Sequence, residues 1–324
     1  MSLTRELKTN KKLFKTIIEN VNIEMNAVLK KRSENKYPLK TKSNYLEISA
    51  IVGTAYDYML RFEILKRNTN KENLFNKYKE KLVSNYGFFN IQSNNIYDSN
   101  IEILYSSSLS IIDQFINNKN KIILEDYISS LIVITLFEQN YRNKNLSIVK
   151  VLENKDYKKY IKREYKYVIS DLKNLYSSFE NNEILKNIEY SKEVILNPYF
   201  SNSKKLNGAD CDLIVDQTMI DIKTIQSCNL TEDMLSQLIG YYILAINDGV
   251  KLNKIAIYFS RYDYLYLINI DDIMTFENIN NIDNQFKNDY MFKKNNIENF
   301  EKNIYKVKIK EIKESEDEFE FSSY

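Results

Sequence analysis

The sequence predicts an α/β protein in which a small mixed sheet follows a large, mostly helical region. Three observations predict it. Apolar residues recur near a 3.6 period in most segments between residues 45 and 192. From residue 193 the order becomes strand, hairpin, helix, strand, strand. That hairpin also carries two carboxylates on one face, which a purely structural sheet has no reason to keep. The implied organisation is a helical region over 1–192, an α/β core over 193–275 and a C-terminal extension over 276–324.

Residues 1–36 read as a basic amphipathic helix, with Leu7, Leu13, Phe14, Ile17, Val21 and Met25 at helical spacing and lysines opposite. Residues 38–44, opened by Pro38, read as a loop. A second helix spans 45–66. In it Asp57 and Arg61 stand four apart and can pair, and the interior Gly53 suggests close packing. Lys71–Tyr86, Ile101–Asn117, Leu124–Gln139 and Asp156–Phe179 follow as helices. The interval 142–173 is the most basic of the chain and is interleaved with Tyr157, Tyr160, Tyr165 and Tyr167. It suits either a phosphate backbone or a solvated helical face with its tyrosines turned inward.

Glu193–Phe200 is β-like and leads through a polar loop, Ser201–Asn207, to the hairpin. There Leu213–Val215 and Met219–Ile222 are apolar and Asp216-Gln217 is a polar break. With a two-residue loop, Val215 pairs with Thr218 and Asp212 stands opposite Asp221. Asp210 would then oppose Lys223 on the same face, which Ile214 and Met219 share. Directly opposed Cβ atoms lie about 4.5–5.5 Å apart, so the two carboxylates repel unless a cation sits between them. Lys223 is one such cation, and a divalent metal is a stronger one. A helix over Thr231–Asn247 follows, N-capped by Thr231 and stopped by Gly249. Two strands, Lys254–Phe259 and Tyr264–Ile270, close the core, and residues 311–320 form an acidic tail.

Composition narrows the chemistry. The 324 residues are 44% hydrophobic with a formal net charge of +2, so the chain is globular and carries no global basic signal. Its Lys, Asn, Ile and Tyr content looks like an AT-rich coding bias, which inflates charge runs. Histidine is absent, which excludes Ser-His-Asp and Cys-His triads and every histidine base or ligand. Cys211 and Cys228 lack a CxxC pairing, which argues against zinc, iron–sulfur and disulfide frameworks. No apolar run is long enough for a bilayer and no secretory signal opens the chain, so no membrane partner is expected and the cytoplasm is the default compartment.

Asp212 followed by Asp221-Ile222-Lys223 resembles the D…(D/E)xK signature of the PD-(D/E)XK nuclease superfamily. Gln237-Leu-Ile-Gly-Tyr241, on the next helix, resembles the QxxxY element of its RecB-like branch. Gln237 and Tyr241 are four apart, so they share a helical face. The likeness covers about residues 193–270. The whole chain is also similar to a group of bacterial proteins, a likeness that supplies no activity. The superfamily resemblance implies a restriction-endonuclease-like core and a Mg²⁺- or Mn²⁺-dependent nuclease acting on nucleic acid, with DNA as the expected partner. It implies Asp212, Asp221 and the Ile222 carbonyl as metal ligands, Lys223 as the group that positions or deprotonates the attacking water, and Gln237 and Tyr241 as orienting residues. Where the branch carries a histidine on an upstream helix, this chain has Asp57. A carboxylate is a competent Mg²⁺ ligand, and a helix cap or an Arg61 partner are the other roles open to it. Two other readings compete with an enzyme. One is a non-catalytic nucleic-acid-binding or protein-interaction module that keeps the fold. The other is a helical scaffold with an incidental hairpin, which requires Asp212 and Asp221 on opposite faces.

Overall fold

The computed structural model describes residues 3–23, 45–67, 74–93, 99–117, 122–145, 147–206, 208, 210–302 and 304–308. The sequence expectations for residues 24–44, including the end of the first helix and the following loop, and for the acidic tail lie outside these residues. No described helix is long and apolar enough to cross a membrane.

Eleven described helices precede the first strand. The expected helix over 1–36 is instead two short helices, α1 (Leu3–Thr9) and α2 (Lys11–Glu19). Asn10 breaks it, because its side chain accepts the Leu13 N–H at 3.0 Å and starts α2 afresh. The helix α3 (Tyr45–Arg67) is followed by α4 (Leu74–Lys79), α5 (Ser84–Ser93), α6 (Ser99–Ile116) and α7 (Leu124–Asn143). The predicted helix over 71–86 is thus divided between α4 and α5. Then come α8 (Ser147–Leu152), α9 (Tyr157–Glu164), α10 (Lys166–Tyr176) and α11 (Glu183–Glu189). The predicted helix over 156–179 is divided at Tyr165, which ends α9. Tyr157, Tyr160 and Tyr165 pack against the core, whereas Tyr167 is exposed.

The strands are β1 (Glu193–Leu196), β2 (Leu213–Val215) and β3 (Thr218–Lys223), then β4 (Lys254–Phe259) and β5 (Tyr264–Asn269) beyond α12 (Glu232–Asn247). After α13 (Ile270–Ile273), α14 (Phe276–Tyr290) and α15 (Ile297–Glu301), β6 (Tyr305–Lys308) returns to pair with β1. The sheet order is β5-β4-β3-β2-β1-β6. The sheet therefore has six strands where the sequence predicts five, and its sixth comes from the stretch read as an extension. Only β3 and β4 are parallel, and α12 is the connection between them, as a parallel pair requires.

Alternation along the strands sends each face into its own core. Leu213, Ile220, Ala256 and Tyr258 join α3, α6, α7 and α10 on one side. Ile214, Met219, Ile257 and Phe259 join α1, α2, α12 and α14 on the other. α1 lies close to α12 at Gly240, where an added Cβ would lie 2.7 Å from a Leu3 methyl and that side chain would have to shift. Gly53 has nothing within 4 Å of its Cβ direction, contrary to the expected close packing, because that face of α3 looks into a pocket.

Candidate active site

The hairpin has the expected two-residue turn at Asp216-Gln217, with Val215 opposite Thr218 and Leu213 opposite Ile220. The ladder stops there: Asp212 precedes β2 and Asp221 follows Ile220 in β3, so the two stand at the open end of the hairpin. Asp212 turns its carboxylate onto the strand, and Oδ2 accepts the Ile222 N–H at 2.6 Å. Asp212 and Asp221 both line the same pocket, so the opposite-face arrangement required by an incidental hairpin is not what forms.

Asp210 does not oppose Lys223. It bridges to Tyr199 and is held by both terminal nitrogens of Arg142, at 3.0 and 3.4 Å. The cause is a long-range ion pair that draws the strand end toward α7. Lys223 instead bonds Asp221 at 2.6 Å and donates to Gln237 Oε1 at 2.9 Å. Gln237 in turn donates to the Tyr241 hydroxyl at 2.8 Å. The helix α12 presents both residues because Thr231 caps it, accepting the Met234 N–H, and its 3.6-residue turn stacks Gln237 below Tyr241.

The pocket is lined by Gly53, Asp57, Glu138, Arg142, Asp210, Asp212, Asp221, Ile222, Lys223, Gln237 and Tyr241, with Thr4, Thr54, Asn197 and Gly208 at its margins. Every residue singled out from sequence as a site candidate is therefore in one place. Sequence reasoning missed Glu138 and Arg142. Glu138 Oε1 accepts from Arg142 Nε at 2.7 Å, and its other oxygen accepts the Tyr58 hydroxyl. The signal was present. Glu138 sits in α7 among residues buried almost without break from Tyr127 to Asn140, where a carboxylate needs a partner. Asp57 pairs with Arg61, which also donates to Tyr78 at 2.7 Å and lies 4.7 Å from the Tyr58 ring. The Arg61 partnership foreseen for Asp57 is thus formed.

Charge in this cluster does not balance. The carboxylates of Asp57, Glu138, Asp210, Asp212 and Asp221 meet the cations Arg61, Arg142 and Lys223, an excess of two negative charges if all are ionised. Asp212 makes no ion pair among the described residues. Burial, then the charges of Asp57 and Asp221, push its carboxyl well above the usual range. Burial pushes Asp57 up to about 6 against the pull of Arg61. Burial lowers the Lys223 pKa, but Asp221 and then Asp212 outweigh it and the net shift is upward, so Lys223 is an ammonium here. Glu138 and Asp210 likewise outweigh burial at Arg142 and raise its pKa.

Two features suit a divalent cation. One is the acidic excess, and the other is Asp57 Oδ1, which is buried without a hydrogen-bond partner. A third feature limits the donor set. Among the described residues no three His, Cys, Asp or Glu side chains stand as a ready metal-binding group. Comparison with protein-family models, curated proteins and solved structures finds no significant match to this chain.

Proposed function

We propose that this protein is a metal-dependent nuclease that hydrolyses phosphodiester bonds, with DNA as its substrate and a restriction-endonuclease-like core as its scaffold. The observation that carries the reading is the meeting of Asp212, Asp221 and Lys223 at the open end of a hairpin, with Gln237 and Tyr241 fixing the lysine from behind. Oxygen donors of this kind suit Mg²⁺ or Mn²⁺. Asp212, Asp221 and the Ile222 carbonyl would hold the ion, and the unpartnered oxygen of Asp57 is the available further donor. A bound ion of this type lowers the pKa of a water and polarises a phosphoryl oxygen.

The chain's own groups supply the rest. Lys223, held as an ammonium, orients the water or a phosphate oxygen and offsets the charge that develops on it. In that state it positions and stabilises, and a bound divalent ion on Asp212 and Asp221 would weaken the two charges that hold its proton. Gln237 accepts a hydrogen bond from Lys223 and so fixes the ammonium's direction, and Tyr241 fixes Gln237. Asp57, paired with Arg61, lines the pocket from α3.

The test is cleavage of single- and double-stranded DNA by purified protein in Mg²⁺ or Mn²⁺. Asp221→Ala and Lys223→Ala should each lower the rate by at least about 10²-fold, the usual scale for removing one preorganised electrostatic group. Full activity in both folded variants would sink the proposal. The competing module reading draws on the absence, among the described residues, of three side chains standing as a ready metal-binding group. It predicts DNA association without turnover and no sensitivity to Lys223.

A further inference from the structure

Large aromatic side chains stand in water on α5 and α7. Tyr86 is 59% exposed, Phe89 60% and Tyr141 45%. The Tyr86 and Tyr141 rings are stacked, with centroids 5.2 Å apart and 27° between planes. They come from different helices, and they meet because α5 lies directly on the α7 backbone. A Cβ at Gly87 would fall 1.9 Å from the Phe137 carbonyl oxygen, so only glycine permits the approach. Asn90 of α5 donates to Asn140 of α7 at 3.3 Å beside the same contact. Inward of the pair, Phe88, Tyr105 and Phe137 already fill the space between these helices with their own ring contacts.

The exposed pair adjoins the pocket. Arg142, next in sequence to Tyr141, lines it and holds Asp210. Asp210 bridges to the half-buried Tyr199. Asp210 thereby links Tyr199 to Arg142 and so to the end of α7 that carries Tyr141, and burial first, then Asp210, Tyr141 and Tyr86, raise the pKa of the Tyr199 hydroxyl. Lys144, exposed at the C-cap of α7, places a cation near the same edge. An exposed ring presents a π-face, and every base has a π-face to match, whereas bases within a duplex already stack on one another. A lysine and aromatics leading toward a phosphodiester-cutting pocket suit a strand whose bases are unpaired.

We propose that Tyr86 and Tyr141, with Tyr199 beside them, form a stacking platform for unpaired bases, so that substrate approaches the pocket as a single strand. This inference rests on the nuclease reading for the direction of the strand, but the binding it describes needs no chemistry.

The experiment is fluorescence anisotropy of a labelled single-stranded oligodeoxynucleotide with the full chain, without added metal. An abasic strand of equal length and the corresponding duplex are run in parallel. The Tyr86→Leu/Tyr141→Leu double variant should bind the single strand about tenfold or more weakly, the scale of lost base stacking. The Tyr86→Phe/Tyr141→Phe variant keeps both rings and should stay within about twofold of wild type. The wild type should bind the abasic strand and the duplex more weakly than the single strand. Leucine and wild-type forms binding alike, equal binding of the abasic strand, or no single-strand binding at all would each overturn the platform. Ring-dependent binding without any cleavage in Mn²⁺ would instead remove the nuclease reading and leave the platform standing. Cleavage with no ring dependence would do the reverse.

Discussion

Two clusters of buried charge lie against the same sheet, and they are built differently. Beyond β4, Arg261 (1% exposed) meets Asp171 (0%) through two parallel hydrogen bonds of 2.9 and 2.6 Å. One cation matches one anion in the fork geometry that suits guanidinium and carboxylate. Neighbouring Asp263 accepts the Tyr258 hydroxyl and the Glu183 N–H, and Asn182 donates to the same hydroxyl. At the hairpin end, five carboxylates face three cations, and Asp212 has only a backbone N–H. Balanced charge ties α10 to the sheet. Unbalanced charge weakens the fold, and in the function proposed above a divalent cation offsets it.

The largest expected effect is on the balanced side. Arg261→Ala leaves Asp171 buried and unpaired, which should cost about 3–5 kcal/mol in urea denaturation. Asp212→Asn should do the opposite in metal-free protein and raise stability, because it removes a carboxylate from a crowded acidic site. A loss from Asp212→Asn comparable to that from Arg261→Ala would make Asp212 a structural charge and end the contrast.

A smaller effect sharpens the same contrast through pH. The carboxyls of Asp57, near 6, and of Asp212 bind protons more tightly folded than unfolded. Such groups favour the fold below the unfolded carboxyl value of about 4, and that contribution is lost as pH rises through the folded values. The stability gained by Asp212→Asn should therefore widen as pH rises above about 4, the unfolded carboxyl value. A gap that is constant or narrows with pH would mean Asp212 ionises in the fold without penalty.

Much of this was legible in sequence because it is local. A two-residue break between alternating apolar runs sets the hairpin register, and Thr231 followed by Glu232 and Asp233 marks the start of α12. The four-residue spacing of Gln237 and Tyr241 put both on one helical face, but that Lys223 reaches Gln237 rather than Asp210 appears only in the packed structure. What stayed hidden depends on distant residues. Asp210 is 68 positions from Arg142, and only the packed α7 reveals that this pair, not Lys223, decides where Asp210 points. The strand β6 shows its alternation, with Val307 buried and Lys306 paired to Glu193, but its partner β1 lies about a hundred residues earlier. The break at Asn10 was hidden for another reason: the apolar period runs across it, and a capping side chain decides the matter.

The central claim is that the acidic excess at the hairpin belongs to a divalent cation. Calorimetric titration of Mn²⁺ into the wild type, Asp212→Asn and Asp171→Asn asks this most directly. Binding should be saturable in the wild type, lost in Asp212→Asn and retained in folded Asp171→Asn. No binding by the wild type, or binding undiminished in Asp212→Asn, would contradict it.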